Sequence, residues 1–203
     1  MNRRSTRTTD SSQEAVIISG FGGQGIMLAG KLLAQAAMLA GKEVTYIPAY
    51  GAEVRGGASN CTVVIANQPI ASPVISFPDC VIAMSKAAMH RFAPFIRAGG
   101  LLLYNNSLID EDPAVDATVT AVGVPADRLA LDLGSSKAAN MVMIGAYVQW
   151  RASLALEGVI QALPAVLSRR RHDTIGLNTL ALREGAQFAR STAESLAGSL
   201  RSE

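Results

Sequence analysis

Ala15-Val16-Ile17-Ile18-Ser19-Gly20-Phe21-Gly22-Gly23-Gln24-Gly25 is the stretch from which the fold can be read. A β-branched run stops in a glycine-rich loop, and Ile26 to Leu39, which follows, is rich in alanine and leucine. β-Branched residues favour an extended backbone and alanine and leucine a helix, while glycine permits the sharp turn between the two. Gly41 is placed to stop that helix, and Glu43 to Ile47 reads as a second strand. Strand, glycine loop, helix and strand in this order predict a right-handed βαβ unit on a parallel sheet.

Working outward, Asn60 to Ala66 is a further strand, closed by a turn at Asn67-Gln68-Pro69, and a short strand is predicted around Pro73 to Ile75. Cys80 to Met84 reads as a buried strand, and Lys86 to Ile96 as a helix in spite of Pro94, ending near Gly99-Gly100. Leu101 to Tyr104 and Ala117 to Val122 are two more strands. The pattern then turns helical over Pro125–Leu133, Ser136–Arg151 and Leu154–Ser168, with Ser136 and Ser153 as candidate N-caps and Pro164 expected to kink or interrupt the third. Asp173 or Thr174 can open a last helix running to about Ala197. The fold class is α/β: a Rossmann-like, mostly parallel sheet with flanking helices and a helical C-terminal third. Residues 14–198 are expected to form one domain behind a polar, disordered tail, 1–13, that carries Arg3, Arg4 and Arg7.

Composition narrows the function. The chain has 203 residues, 49% hydrophobic and 17% charged, an apolar balance that hints at a surface covered by a partner. A net charge of +2 and only 5% aromatic residues argue against nucleic acid as a partner. No apolar run approaches the roughly 18 residues of a spanning helix, so no membrane is expected. Two cysteines, Cys61 and Cys80, stand apart and read as buried, reduced thiols of a cytoplasmic protein. An iron–sulfur cubane needs about four thiolates, which this chain does not have. His90 beside Arg91 reads as a surface histidine, His172 after Arg169-Arg170-Arg171 as a solvated helix-end cation, and Met141 and Met143 as core.

Gly20, Gly22 and Gly25 satisfy G-x-G-x-x-G between a strand and a helix, the context in which such a loop and the helix amino terminus receive a phosphate. Gly20, Gly22, Gly23, Gln24 and Gly25 are therefore candidate binding residues. A dinucleotide site also expects a carboxylate at the end of the second strand for the ribose hydroxyl. That strand ends in Ile47-Pro48-Ala49-Tyr50, with Glu43 at its start and Glu53 beyond it in a loop, and with no arginine for NADP. A phosphate of another ligand, or a purely structural turn, remain as alternatives. In the second loop, Tyr50-Gly51-Ala52-Glu53-Val54-Arg55-Gly56-Gly57, a carboxylate and a guanidinium sit beside two glycines. It is either a surface salt bridge or a segment meeting a partner subunit or a phosphate, with Arg55 as a fork donor. Glu53, Arg55 and Gly56 join the candidates.

Taken in order, these segments resemble the gamma subunits of 2-oxoacid:ferredoxin oxidoreductases. The matching features are Gly20 to Gly25, Pro48 to Gly57, Asn60-Cys61, Ser72-Pro73, Pro78-Asp79 with Ile82-Ala83-Met84, Gly99 to Leu103, Asn106 to Ile109 and Ala139 to Met143. The resemblance covers roughly residues 15 to 190 and leans toward the 2-oxoglutarate and branched-chain 2-oxoacid groups. Ala52 and Val54 stand where that family's loop often has proline and methionine. The resemblance implies a complex that converts a 2-oxoacid, coenzyme A and oxidised ferredoxin into acyl-CoA, carbon dioxide and reduced ferredoxin, with 2-oxoglutarate as the expected acid. It implies thiamine diphosphate and iron–sulfur clusters in partner subunits, alpha and beta and a ferredoxin-like delta, and no tightly bound cofactor or catalytic residue in this chain. Coenzyme A at a subunit interface is the ligand the glycine loop would serve. The competing readings are an NAD(P)-binding dehydrogenase domain and a non-catalytic scaffold subunit.

Overall fold

Val16 and Ile18 face one side of a sheet and Ile17 the other, and both sides are buried. A strand covered on two faces is apolar throughout, which is why this run shows no polar alternation. The structure, a computed structural model, describes residues 13–49 and 58–199. Its strands are β1 (Gln13–Phe21), β2 (Glu43–Ala49), β3 (Ala58–Ala66), β4 (Cys80–Ala83), β5 (Leu101–Asn105) and β6 (Thr120–Val124), in the sheet order β2-β3-β1-β4-β5-β6. The helices are α1 (Ile26–Leu39), α2 (Lys86–Phe92), α3 (Ala126–Asp132), α4 (Ala139–Arg151), α5 (Leu156–Val166) and α6 (Ile175–Ser199). Side chains of α1, α3, α4, α5 and α6 join Cys80, Ile82, Leu101 and Leu103 in the larger core. Ala88 and Met89 of α2 join Val81, Ala83 and Leu102 in a smaller core on the opposite face.

The mostly parallel α/β sheet is as expected, but its first unit is not a simple βαβ. β1, β4, β5 and β6 pair in parallel, whereas β3 lies between β1 and β2 and is antiparallel to both. Eight residues, 50–57, separate β2 from β3. That is too few for the crossover of a dozen or more residues that a parallel pair requires, so β3 returns antiparallel to β2. It then pairs along the whole of β1, from Gln13↔Ala66 to Phe21↔Ala58.

The helix over Ile26–Leu39 and its stop are as read: Gly41 N–H donates to Met38 O and Lys42 N–H to Ala37 O, closing the last turn. Pro94 ends α2 early, and Ala93–Phe95 continues as a 3₁₀ turn. Pro164 sits in the last turn of α5, which stops at Val166. Three expectations fail. Residues 73–75 form no strand; Val74 is 76% exposed, and a lone segment with no neighbour to pair with stays irregular. Ser136 starts a 3₁₀ turn and caps nothing, and Ser153 instead meets the Tyr147 hydroxyl at 3.4 Å while α5 begins at Leu156. Gln13, placed in the tail, already belongs to β1, and residues 1–12 lie outside the described part.

Candidate functional site

The connection from β1 leads outward toward β2 and that from β4 toward β5, so a crevice opens between the carboxyl ends of β1 and β4. Ligands of doubly wound sheets bind at such switch points. The glycine loop lies here. Gln24 spans the crevice: its Oε1 accepts from Phe21 N at 2.6 Å and its Nε2 donates to Met84 O at 3.0 Å. Gly20 leaves the room for this bridge, since a Cβ on it would lie 2.4 Å from Gln24 Oε1 and 2.7 Å from Met84 Cβ. Gly22 and Gly23 are exposed at the tip. Gly25 is the N-cap of α1 at φ +74°, and a Cβ there would fall 2.2 Å from Asn140 Nδ2. Glycine is needed twice over, for the left-handed backbone and for the close approach of α4. Asn140, buried in the first turn of α4, donates from Nδ2 to Gly25 O at 3.1 Å and locks the loop to that helix.

A cleft of about 400 Å³ opens beside the loop, and a pocket of about 160 Å³ adjoins it at Gly23, Lys137 and Asn140. The amino ends of α1 and α4 both reach the cleft, and neither carries an acidic residue in its first turn. Their positive dipole ends are thus left unneutralised there. Lys137 and Arg171 line the same cleft, and neither pairs with a carboxylate among the described residues. Asp127, in the smaller pocket, is engaged by Asn105 Nδ2. In two other pockets the cations are already engaged. At the amino end of β1, Arg151 is held by Glu14 at 2.7 Å and Lys42 by Asn67 at 2.8 Å. Beside α2, Glu111 already takes Lys86 and His90. Among the described residues, the glycine-loop cleft is the one of these that offers an anion cations without a carboxylate partner.

All five loop candidates, Gly20, Gly22, Gly23, Gln24 and Gly25, are therefore brought to one cleft mouth, although Gln24 uses both ends of its amide internally. Glu53, Arg55 and Gly56 lie outside the described residues. The ribose position expected of a dinucleotide fold is displaced, because β3 stands between β1 and the end of β2. Lys137, Asn140, Arg171 and Asn178 were not singled out from the sequence. The basic run Arg169–Arg171 reads as a helix-end cation cluster, and only the return of the C-terminal helices across the sheet carries it to the loop. The thiols are inert, as read: burial pushes Cys61 up to about 12 and Cys80 well above its ordinary value. His90 is exposed and His172 Nε2 lies 3.2 Å from Leu167 O, near the end of α5. No group of three or more His, Cys, Asp or Glu able to hold a metal occurs among the described residues, and no helix among them is long and apolar enough to cross a membrane.

An α/β domain with an antiparallel strand inserted beside β1 and a cationic cleft at the switch point is the class that fold and site define. The family model for pyruvate ferredoxin/flavodoxin oxidoreductase matches residues 15–188, and the chain belongs to that family. It is 36% identical over 180 residues to the ketoisovalerate oxidoreductase subunit VorA of Methanothermobacter marburgensis, covering 88% of this chain but 37% of that protein. It is 33% identical over 192 residues to the 2-oxoglutarate synthase subunit KorC of Methanocaldococcus jannaschii, covering 94% and 99%. The gamma subunit of a keto/oxoacid ferredoxin oxidoreductase from Geobacter sulfurreducens superposes with a TM-score of 0.76 at 27% identity, over 88% of this chain and 99% of that one.

Proposed function

We propose that this chain works as the gamma subunit of a cytoplasmic, thiamine-dependent 2-oxoglutarate:ferredoxin oxidoreductase, and that its glycine-loop cleft holds a phosphate of coenzyme A where subunits meet. The carrying observation is the pair of cations, Lys137 and Arg171, that have no carboxylate partner among the described residues and are set beside two helix amino ends without an acidic residue in the first turn. Thiamine diphosphate and the clusters would reside in alpha, beta and ferredoxin-like delta partners, and ferredoxin would take the electrons. What supports 2-oxoglutarate as the acid is that four of the relatives, 28% to 34% identical, are 2-oxoglutarate synthase subunits KorC, set against 36% identity to the ketoisovalerate subunit VorA. Two features disfavour an NAD(P) site: Gln24 occupies the Phe21 N–H that a pyrophosphate would seek, and β3 removes the end of β2 from the crevice.

The test is to purify the complex through a tag on this chain and to follow viologen reduction with each 2-oxoacid and coenzyme A. The expected result is turnover with 2-oxoglutarate, and a KM for coenzyme A raised about tenfold or more by Lys137→Glu or Arg171→Glu, as for loss of a charge-assisted phosphate contact. Turnover with pyruvate alone would defeat the substrate assignment. An unchanged KM in both variants, with assembly intact, would defeat the phosphate site.

A further inference from the structure

We propose that the side of the sheet carrying α2 docks a larger subunit of the same complex. The groove between α2 and residues 106–119 receives a segment of that subunit in which lysine or arginine flanks an apolar side chain. The proposal rests on the subunit reading above. The two sides of the sheet are covered unequally. Side chains of five helices fill the larger core, whereas on the other side α2, seven residues long, is the one described α-helix that contributes. Residues 106–119 complete that smaller core with Ile109, Val115 and Val119. Strands that are apolar on both faces call for cover on both. Between α2 and these residues a groove of about 410 Å³ stays open. Met89 and Ala93, 2% and 5% exposed, lie at its base, and Pro94, Ala114 and Asp112 line it further. Phe95, next to Pro94, is 53% exposed, and Leu108 52%. Large apolar side chains left in water around an apolar hollow mark a surface for another protein.

Charge decides which partner fits. Residues 106–119 carry Asp110, Glu111, Asp112 and Asp116 and no lysine or arginine, in a chain whose net charge is +2. Lys86 and His90 of α2 are both taken by Glu111, and Asp116 accepts from the Thr118 N–H and hydroxyl. Asp110 and Asp112 are exposed and pair with no cation among the described residues. A second copy docking here by two-fold symmetry would bring the same carboxylates to both sides of the contact. Like charges facing across an interface repel, so the groove disfavours its own copy and favours a basic partner. Chain length points to a larger subunit as that partner. The domain makes up 37% of the VorA chain it matches and 99% of the KorC chain. Built into a longer chain it is held by the peptide bond; standing alone, it has only its surface to hold it in a complex.

The complex is recovered through a tag on the full-length chain, with the photo-reactive substitution Ala114→benzoylphenylalanine. Irradiation should join this chain to a larger subunit, at a peptide with lysine or arginine within a few residues of the attachment point. Ala114→Arg and Asp112→Lys should each lower the larger subunit recovered by about tenfold or more, because each sets a cation against the partner's own. Both positions are exposed, so the thermal midpoint of the isolated chain should stay that of the parent. No cross-link to a larger subunit, a cross-link to a second copy of this chain, attachment to a peptide without a basic residue, or recovery undiminished in either variant would each overturn the docking face. The subunit reading is judged on the parent chain. A parent that recovers its larger subunit keeps that reading even where the face fails, and a parent that recovers none loses both.

Discussion

Replacing Gly145 by alanine would drive a methyl group into the backbone of the neighbouring helix. Gly145 of α4 and Gly185 of α6 face each other's chains: a Cβ on Gly145 would lie 2.0 Å from Leu182 O, and one on Gly185 1.9 Å from Val142 O. Neither obstacle is a side chain that can swing aside. To reach an ordinary 3.4 Å contact the two helices would have to part by about 1.4 Å. Overpacking of this kind costs about 3 kcal/mol where the backbone itself must move. Alanine recovers about 1 kcal/mol of helix propensity, leaving a net loss of about 2 kcal/mol. For a chain of this size that lowers the thermal midpoint by about 4–8 °C. Calorimetry on the purified chain measures it, with Gly158→Ala as the control. Gly158 lies in α5, and a Cβ on it would meet nothing within 4 Å, so its alanine variant should gain up to about 1 kcal/mol. A Gly145→Ala midpoint equal to or above that of the parent would refute the close crossing of α4 and α6. The crossing also bears on the cleft, since α4 carries Asn140 and α6 carries Asn178.

Cys61 and Cys80, with thiols pushed up by burial to about 12 and well above the ordinary value, should resist a thiol reagent at pH 7.5 in the native chain and both react in guanidinium; prompt native labelling of either would contradict its burial. The Glu111 carboxyl is held below its ordinary value of 4.5 by its hydrogen bond from Lys86 and then by that from His90. Its folded pKa is thus the lower one. The tether of this loop to α2 is complete above the ordinary carboxylate range and is lost as the pH falls through the depressed value. An NMR titration of Glu111 should inflect below 4.5 in the parent and move up toward it in Lys86→Ala; an inflection at or above 4.5 in the parent would mean that the pairing is absent in solution.

Local signals were enough for the elements that build the sheet. The apolar run of β1, the alanine- and leucine-rich α1 and the buried β4 and β5 each state their conformation over a few residues, because both faces of these strands are covered and the helix has one side to bury. The glycine loop was legible for the same reason, as a turn confined to six residues between a strand and a helix. Ser136, Ser153 and the stretch around Val74 were misread because a cap or a lone strand depends on partners that local sequence does not name. The antiparallel return of β3 was not read either, because the strands legible in the sequence, Glu43 to Ile47 and Asn60 to Ala66, leave a wider gap than the eight residues between β2 and β3, and nothing local says that β3 inserts beside β1. Pairing partners are chosen by contacts far apart in the chain, and those are decided only when the sheet closes. The cleft shows the same division. The sequence by itself determined the glycine turn and the strand and helix on either side of it. The tertiary structure alone brought Lys137, Arg171 and Asn178, more than a hundred residues later, to the mouth of that turn, because the helical third folds back over the same face of the sheet as α1.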